Sequence, residues 1–290
     1  MWALLRSSFV QAEFAHAVLA PAAAAMSVAG LGAVLVSRAP RLGRRLAVLA
    51  IPAGFLAGYF ETYRNFTFPP ATVLSWLPWF ILAIVAIDSL PDTMKRGVMA
   101  QLARAFVSAA AAALLLRPLL RHEAWSVALA TGFSVTVSWA FPWAAAGSAR
   151  VARLPLASAL CVSALALALA APLSGSVVLG QMAASLVTAL GGSILVARLS
   201  RTTELLEGAP AAIFILGVLG VDLRWYAGAA EGVVAGLLVS VVAALAGSVA
   251  VHRYGLKGWR GVAAAVLAAL TPATFAIMTA FRLSQVAGGY

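Results

Sequence analysis

The chain has 290 residues, 63% of them apolar and 10% charged, with 20 Lys and Arg against 9 Asp and Glu for a net charge of +11. A soluble domain carries about 25% charged residues, so no water-solvated core of this length hides so much apolar surface, and lipid must serve as solvent for most of the chain. The basic residues come in short groups between apolar runs, which argues for membrane topology and against a nucleic-acid face; the single cysteine, Cys161, excludes an intrachain disulfide framework or a Cys-built metal centre.

The chain opens on MWALLRSSFVQAEFAH, residues 1–16, where Arg6, Gln11, Glu13 and His16 interrupt what would be the apolar core of a cleaved signal. It reads as an amphipathic lead-in to a single membrane domain over 17–290. Ten stretches there have the apolar character of a spanning helix, which needs about 20 residues: 17–37, 46–60, 71–90, 97–120, 125–147, 154–174, 179–197, 209–223, 230–251 and 261–281. The expected fold is therefore an all-α polytopic bundle of about ten spans with short loops. The second and eighth stretches are short. SGSVVLGQ, 174–181, is the least decided turn, because it alone separates the sixth stretch from the seventh.

Basic residues test this count, since Lys and Arg collect in alternate loops on the cytoplasmic side. The odd loops hold Arg38, Arg41, Arg44 and Arg45, then Lys95 and Arg96, Arg150 and Arg153, Arg198 and Arg201, and finally Arg253, Lys257 and Arg260. The even loops and the termini hold fewer. Both termini are thus expected outside the cytoplasm, in a multi-pass protein of the cell membrane.

In chain order, Gly54 and Gly58 strip one face of the second stretch so that a neighbouring helix can approach closely. The stretch leaves the membrane through FETYRNFTFPP, 60–70, with Glu61 and Arg64 at the outer boundary. The third ends in IDSLPD, 87–92. Asp88 and Asp92 have the spacing of a magnesium-diphosphate motif, but Pro91 breaks the helix and there is no second such motif, so a charged helix end with Asp92 paired to Arg96 fits better. Arg104 lies within the fourth span. It either snorkels to the headgroups, meets Asp88, or binds an anionic substrate group. The Ala run 109–113 gives that helix a slim wall, and Thr131, Ser134, Thr136 and Ser138 form a polar line along the fifth that is the best candidate lining for a substrate path, or else glue between helices.

In RTTELLEG, 201–208, Glu204 and Glu207 are expected to balance Arg198 and Arg201. The eighth stretch leaves the membrane through GVDLRWYAG, echoing the second: Asp222 and Arg224 repeat Glu61 and Arg64, and Glu231 is placed to join them. Gly228, Gly232 and Gly236 make a second small-residue face at four-residue spacing. Trp76, Trp79, Trp125, Trp143, Trp225 and Trp259 mark the interfaces as belt residues, and Pro52, Pro78, Pro142, Pro172 and Pro272 are potential breaks inside spans.

No HExxH, GxSxG or GxxxxGK[ST] pattern occurs, and the three histidines lie in separate segments, so an enzyme has no visible nucleophile, base or metal set, and no cofactor is implied. Three functions are open. A transporter or permease for a small apolar or amphipathic molecule or lipid fits best, with Glu61, Arg64, Arg104, Asp222, Arg224 and Glu231 as substrate-binding candidates. An assembly subunit docking other helices through the Gly54/Gly58 and Gly228/Gly232/Gly236 faces comes next, and an intramembrane lipid-modifying enzyme last.

Overall fold

The computed structural model describes residues 8–63, 70, 72–90, 94, 97–120, 125–148 and 151–287. Each of the ten apolar stretches folds as a helix: α1 (Ser8–Arg38), α2 (Pro40–Thr62), α3 (Leu77–Asp88), α4 (Val98–Leu120), α5 (Trp125–Ser148), α6 (Arg153–Leu173), α7 (Val177–Leu199), α8 (Ala209–Trp225), α9 (Glu231–Arg253) and α10 (Gly258–Ala287). Among the described residues there is no strand. A backbone in hydrocarbon must satisfy its polar groups internally, which the helix does. Eight helices, all but α2 and α3, are long and apolar enough to cross a membrane, making this a multi-pass membrane protein.

The two exceptions have local causes. In α2 the first turns carry Arg41, Arg44 and Arg45, diluting its apolar run. In α3 the chain first makes a tight turn at Leu74–Trp76, and Pro78 then sits in the first helical turn, where its missing N–H costs nothing. That leaves 12 residues of helix, about 18 Å at 1.5 Å per residue. Pro78 is thus a helix start, not an interior break. Pro52, Pro142 and Pro272 lie inside helices that continue through them, and Pro172 lies in the last turn of α6, which ends at Leu173.

The undecided turn between α6 and α7 is a compact hairpin. Gly175 adopts φ +96°, a conformation glycine reaches without a Cβ clash, and the Ser176 side chain caps α7 by accepting from the Leu179 amide at 3.4 Å.

Around this hairpin the helices form two groups. The α1–α2 hairpin packs against α7, and the α9–α10 hairpin packs against α6. Between the groups, α8 touches α2 to α7 and α9, and its side chains are buried on every face. Such a helix needs no polar stripe, and its run APAAIFILGVLGV has none. Phe214, at its centre, makes edge contacts with Phe80, Trp139 and Trp143 at centroid distances of 5.2 to 6.3 Å.

Small residues close both groups. A Cβ on Gly54 would stand 2.7 Å from Ala25 Cβ and 2.8 Å from Ala189 Cβ, and one on Gly58 would fall on the Ser185 side chain. Gly236 lies against Ala276 of α10 in the same way. Gly228 departs from the expected repeat: it precedes α9 in a turn with φ +69° and has no neighbour within 4 Å of a built Cβ. The Gly54/Gly58 and Gly236 faces are therefore occupied by helices of the same chain. Buried Ser240 adds a polar clip, meeting Ser163 of α6 at 2.7 Å and donating to the Ala269 carbonyl of α10 at 3.0 Å.

Gly58→Ala is expected to destabilise the bundle by about 1–3 kcal/mol, because the methyl group forces α2 away from α7. Gly30→Ala is the control: a Cβ there meets nothing within 4 Å, and the change should be neutral or slightly stabilising. Detergent-resistant unfolding of the two variants side by side measures the difference.

Candidate functional site

The two ends of the bundle differ in chemistry. At one end the starts of α2 and α6 meet the turn before α8. Arg44, near the start of α2, makes a two-pronged contact with Glu204 at 3.1 Å, and Arg153, at the start of α6, meets Glu207 at 3.3 Å. These acids were expected to balance Arg198 and Arg201. Instead they lie in the turn before α8 and bind arginines brought in by other helices. The exposed Arg44–Glu204 pair contributes roughly 0–1 kcal/mol, so it fixes register more than stability, while Arg153–Glu207 is half-buried.

Deeper at this end lies a buried polar knot. Asp88 at the end of α3 accepts from Arg104 Nη2 of α4 at 3.0 Å and from Trp143 Nε1 of α5 at 3.3 Å. The guanidinium carbon lies 5.7 Å from the Trp143 ring centroid, and a Cβ on Gly147 would stand 2.5 Å from it. Arg104 is 0% exposed. Of the readings open for Arg104, the structure displays pairing with Asp88, and neither of the two main cavities is lined by it. Trp143 is correspondingly not a belt residue: it is fully buried and orients the Asp88 carboxylate. Trp125 and Trp259, by contrast, are exposed as belt residues should be. Asp92 and Arg96 lie outside the described residues.

At the opposite end the ends of α2, α4 and α8, the approach to α3 and the α6–α7 turn surround a vestibule of about 720 Å³. Tyr63 closes α2, Thr72 begins the approach to α3, Arg117 ends α4, Ser176 caps α7, and Asp222 and Tyr226 end α8. The turn between α2 and α3 is pinned by hydrogen bonds. Tyr59 Oη donates to the Leu74 carbonyl at 3.1 Å, Tyr63 Oη and Thr72 Oγ1 meet at 2.6 Å, and Ser75 Oγ donates to the Thr72 carbonyl at 2.6 Å.

Asp222 is the unusual member. It is 2% exposed, and among the described residues neither carboxyl oxygen has a hydrogen-bond partner. Its expected companion, Arg224, turns away and closes the α8–α9 turn, donating to the Ala229 carbonyl at 3.1 Å and to Glu231 at 2.8 Å. The second cluster anticipated from the sequence thus divides into an Arg224–Glu231 clasp and a separate buried acid. Tyr226, one turn beyond Asp222, donates its hydroxyl to the Leu115 carbonyl of α4 at 2.5 Å. Burial, followed by the nearby Asp222 carboxyl, pushes the Tyr226 phenol above its usual range, so it remains a donor. Of the first cluster, Glu61 is half-buried in the last turn of α2 and Arg64 lies outside the described residues.

A second cavity, about 330 Å³, flanks the other side of the same α8 segment. Gly217, Gly220 and Val221 face it, while Asp222 and Tyr226, four apart, face the vestibule; the two sets lie on different faces of one helix. Its walls are mostly Leu, Val, Ile and Trp, with Ser134, Ser138 and Ser163 as its hydroxyls. Ser134 is exposed, so the cavity is not sealed. Ser134 and Ser138 thus do line a cavity, one helical turn apart, although each donates to a backbone carbonyl of its own helix. Thr131 and Thr136, from the same polar line, are absent from the lining.

No known family model matches the chain, and no curated protein or solved structure shows significant similarity to it.

Proposed function

We propose that this protein is a transporter of small apolar or amphipathic molecules, lipids among them, in the cell membrane, with its basic end in the cytoplasm and both termini on the other side. The observation that carries this reading is the pair of cavities on opposite faces of α8, one apolar with a few hydroxyls, the other wider and floored by a buried acid. Ligand sites in helical membrane proteins occupy cavities between helices with few, well-placed polar groups. In this reading α2 and α3 cross with the other eight helices, since their charged and polar ends lie at the same two ends of the bundle as those of their neighbours. The assembly-subunit reading is less favoured because the Gly54/Gly58 and Gly236 faces already hold helices of the same chain.

The test is reconstitution into liposomes, with ethidium as a soluble amphipathic probe and a fluorescent short-chain phospholipid as a lipid probe. Wild type is expected to move at least one of them faster than protein-free vesicles; failure with both removes the reading. Gly220→Leu is the matching variant. Gly220 lines the smaller cavity and a Cβ there meets nothing within 4 Å, so a side chain can leave the helix at this point and project into the space. We expect transport to fall at least several-fold while thermal stability holds or rises by up to about 1 kcal/mol, because glycine is a poor helix former. Unchanged transport would remove the cavity from the pathway.

A further inference from the structure

Buried carboxylates in this chain are of two kinds. Asp88 has Arg104 and the Trp143 indole, so its charge is compensated where it lies. Asp222 is buried as deeply and, among the described residues, has neither a cation nor a donor on either oxygen. An ionised carboxylate in that state carries its full desolvation penalty, and binding a proton is the simplest way to remove it. The group also lies where protons can reach it, in the wall of the vestibule at the non-basic end of the bundle.

The ionisable groups around it are few. From α2 come Tyr59 and Tyr63, both engaged through their hydroxyls, with the half-buried Glu61 nearby in the chain; from α4 comes Arg117, which shares the vestibule wall. From α8 itself comes Tyr226, bonded to the Leu115 carbonyl, and α9 offers Glu231, already held by Arg224. Among the described residues, α3, α5, α6 and α7 bring no acidic or basic side chain to this end. Among the described residues, Arg117 is the cation in the vestibule wall.

We infer that Asp222 is a proton-binding site that exchanges with the vestibule, and that the proton is the ion coupled to transport. The coupling half rests on the transporter reading above; the proton site does not. The step is a simple transfer in which a hydronium ion in the vestibule gives a proton to an Oδ of the ionised Asp222, leaving water and a neutral carboxylic acid, and water takes the proton back on release.

Infrared spectroscopy of the full chain in lipid at neutral pH tests the site directly. Wild type should show the C=O stretch of a protonated carboxylic acid, and Asp222→Asn should remove it. No such band, or a band that survives the substitution, overturns the proposal. On transfer to heavy water the band should shift as the proton exchanges. Val178→Trp, a change at an exposed vestibule residue, should slow that shift several-fold; an unaltered rate would overturn the vestibule as the route. In liposomes, an imposed pH gradient should speed probe uptake by wild type and not by Asp222→Asn. If the band behaves as expected but no probe moves in wild type, the transporter reading fails and the proton site stands. If probes move equally in both proteins, with or without the gradient, the coupling fails.

Discussion

Arg104→Ala is expected to cost about 3–5 kcal/mol. The change deletes one partner of a fully buried ion pair and leaves the Asp88 carboxylate facing only the Trp143 indole. It also opens a void beside Gly147, whose lack of a side chain makes room for the guanidinium. Asp88→Ala should be comparably harmful, because it strands a positive charge in the same place. The double change Asp88→Leu with Arg104→Met should be milder than either single one, since an apolar pair of similar volume carries no desolvation penalty. Unfolding of wild type, Asp88→Leu, Arg104→Met and the double variant in mild detergent closes a double-mutant cycle and gives the coupling directly. If the single losses simply added in the double variant, the pair would be two independent contacts and the knot would have no collective role.

Asp222→Leu is expected to act in the opposite direction, raising stability by about 1–3 kcal/mol. A buried polar group without a partner carries a penalty of this order, and an apolar replacement removes it. Asp222→Asn keeps the shape and most of the polarity, so its gain should be smaller. Proton-coupled uptake should be lost in both. A gain in stability together with a loss of function is the signature of a residue whose presence costs the fold something and serves the site. If Asp222→Leu instead lowered the melting temperature, the carboxyl would be holding the structure together and its place in the proposed site would be wrong. The two acids therefore make a matched experiment, since equal burial predicts opposite signs once partners are counted.

The sequence made the helices legible because the apolar runs are long and the arginines between them regular. Each of the ten runs is a helix, and the arginines that mark the odd connections, such as Arg44 and Arg153, do gather at one end. Asp88 was named as a partner for Arg104 because the two lie near one turn, where chain proximity makes the guess cheap. Glu204 was misassigned by the same rule. Its true partner, Arg44, is 160 positions away, and only the packing of α2 beside the turn before α8 unites them.

Trp143 was misread for a related reason. Its position near a span end suits a belt residue, and nothing local shows that α5 turns it inward against α3 and α4. Asp222 was singled out, but as an interfacial acid paired with Arg224. The distinction between an acid at the boundary and one sealed behind it amounts to part of a helical turn, which an apolar run such as ILGVLGVDLRW does not resolve. The cavities are legible only in fragments, the Ser134 and Ser138 line and Asp222, because each is lined by segments from several distant helices that the sequence does not bring together.

The central position of α8 bears on how the protein is made. A ribosome delivers α1 and α2 to the membrane first, yet the helix that covers the Gly54/Gly58 groove, α7, emerges well over a hundred residues later. The nascent chain must therefore wait with that groove open to lipid or held by an insertase. When α8 follows, six of the helices it touches are already in place, so it enters as a late wedge, and α9 and α10 then seal the far side. A chain terminated after α7 should be the most vulnerable to membrane proteases, because it has every wall of the pocket for α8 except α9 and nothing to fill it.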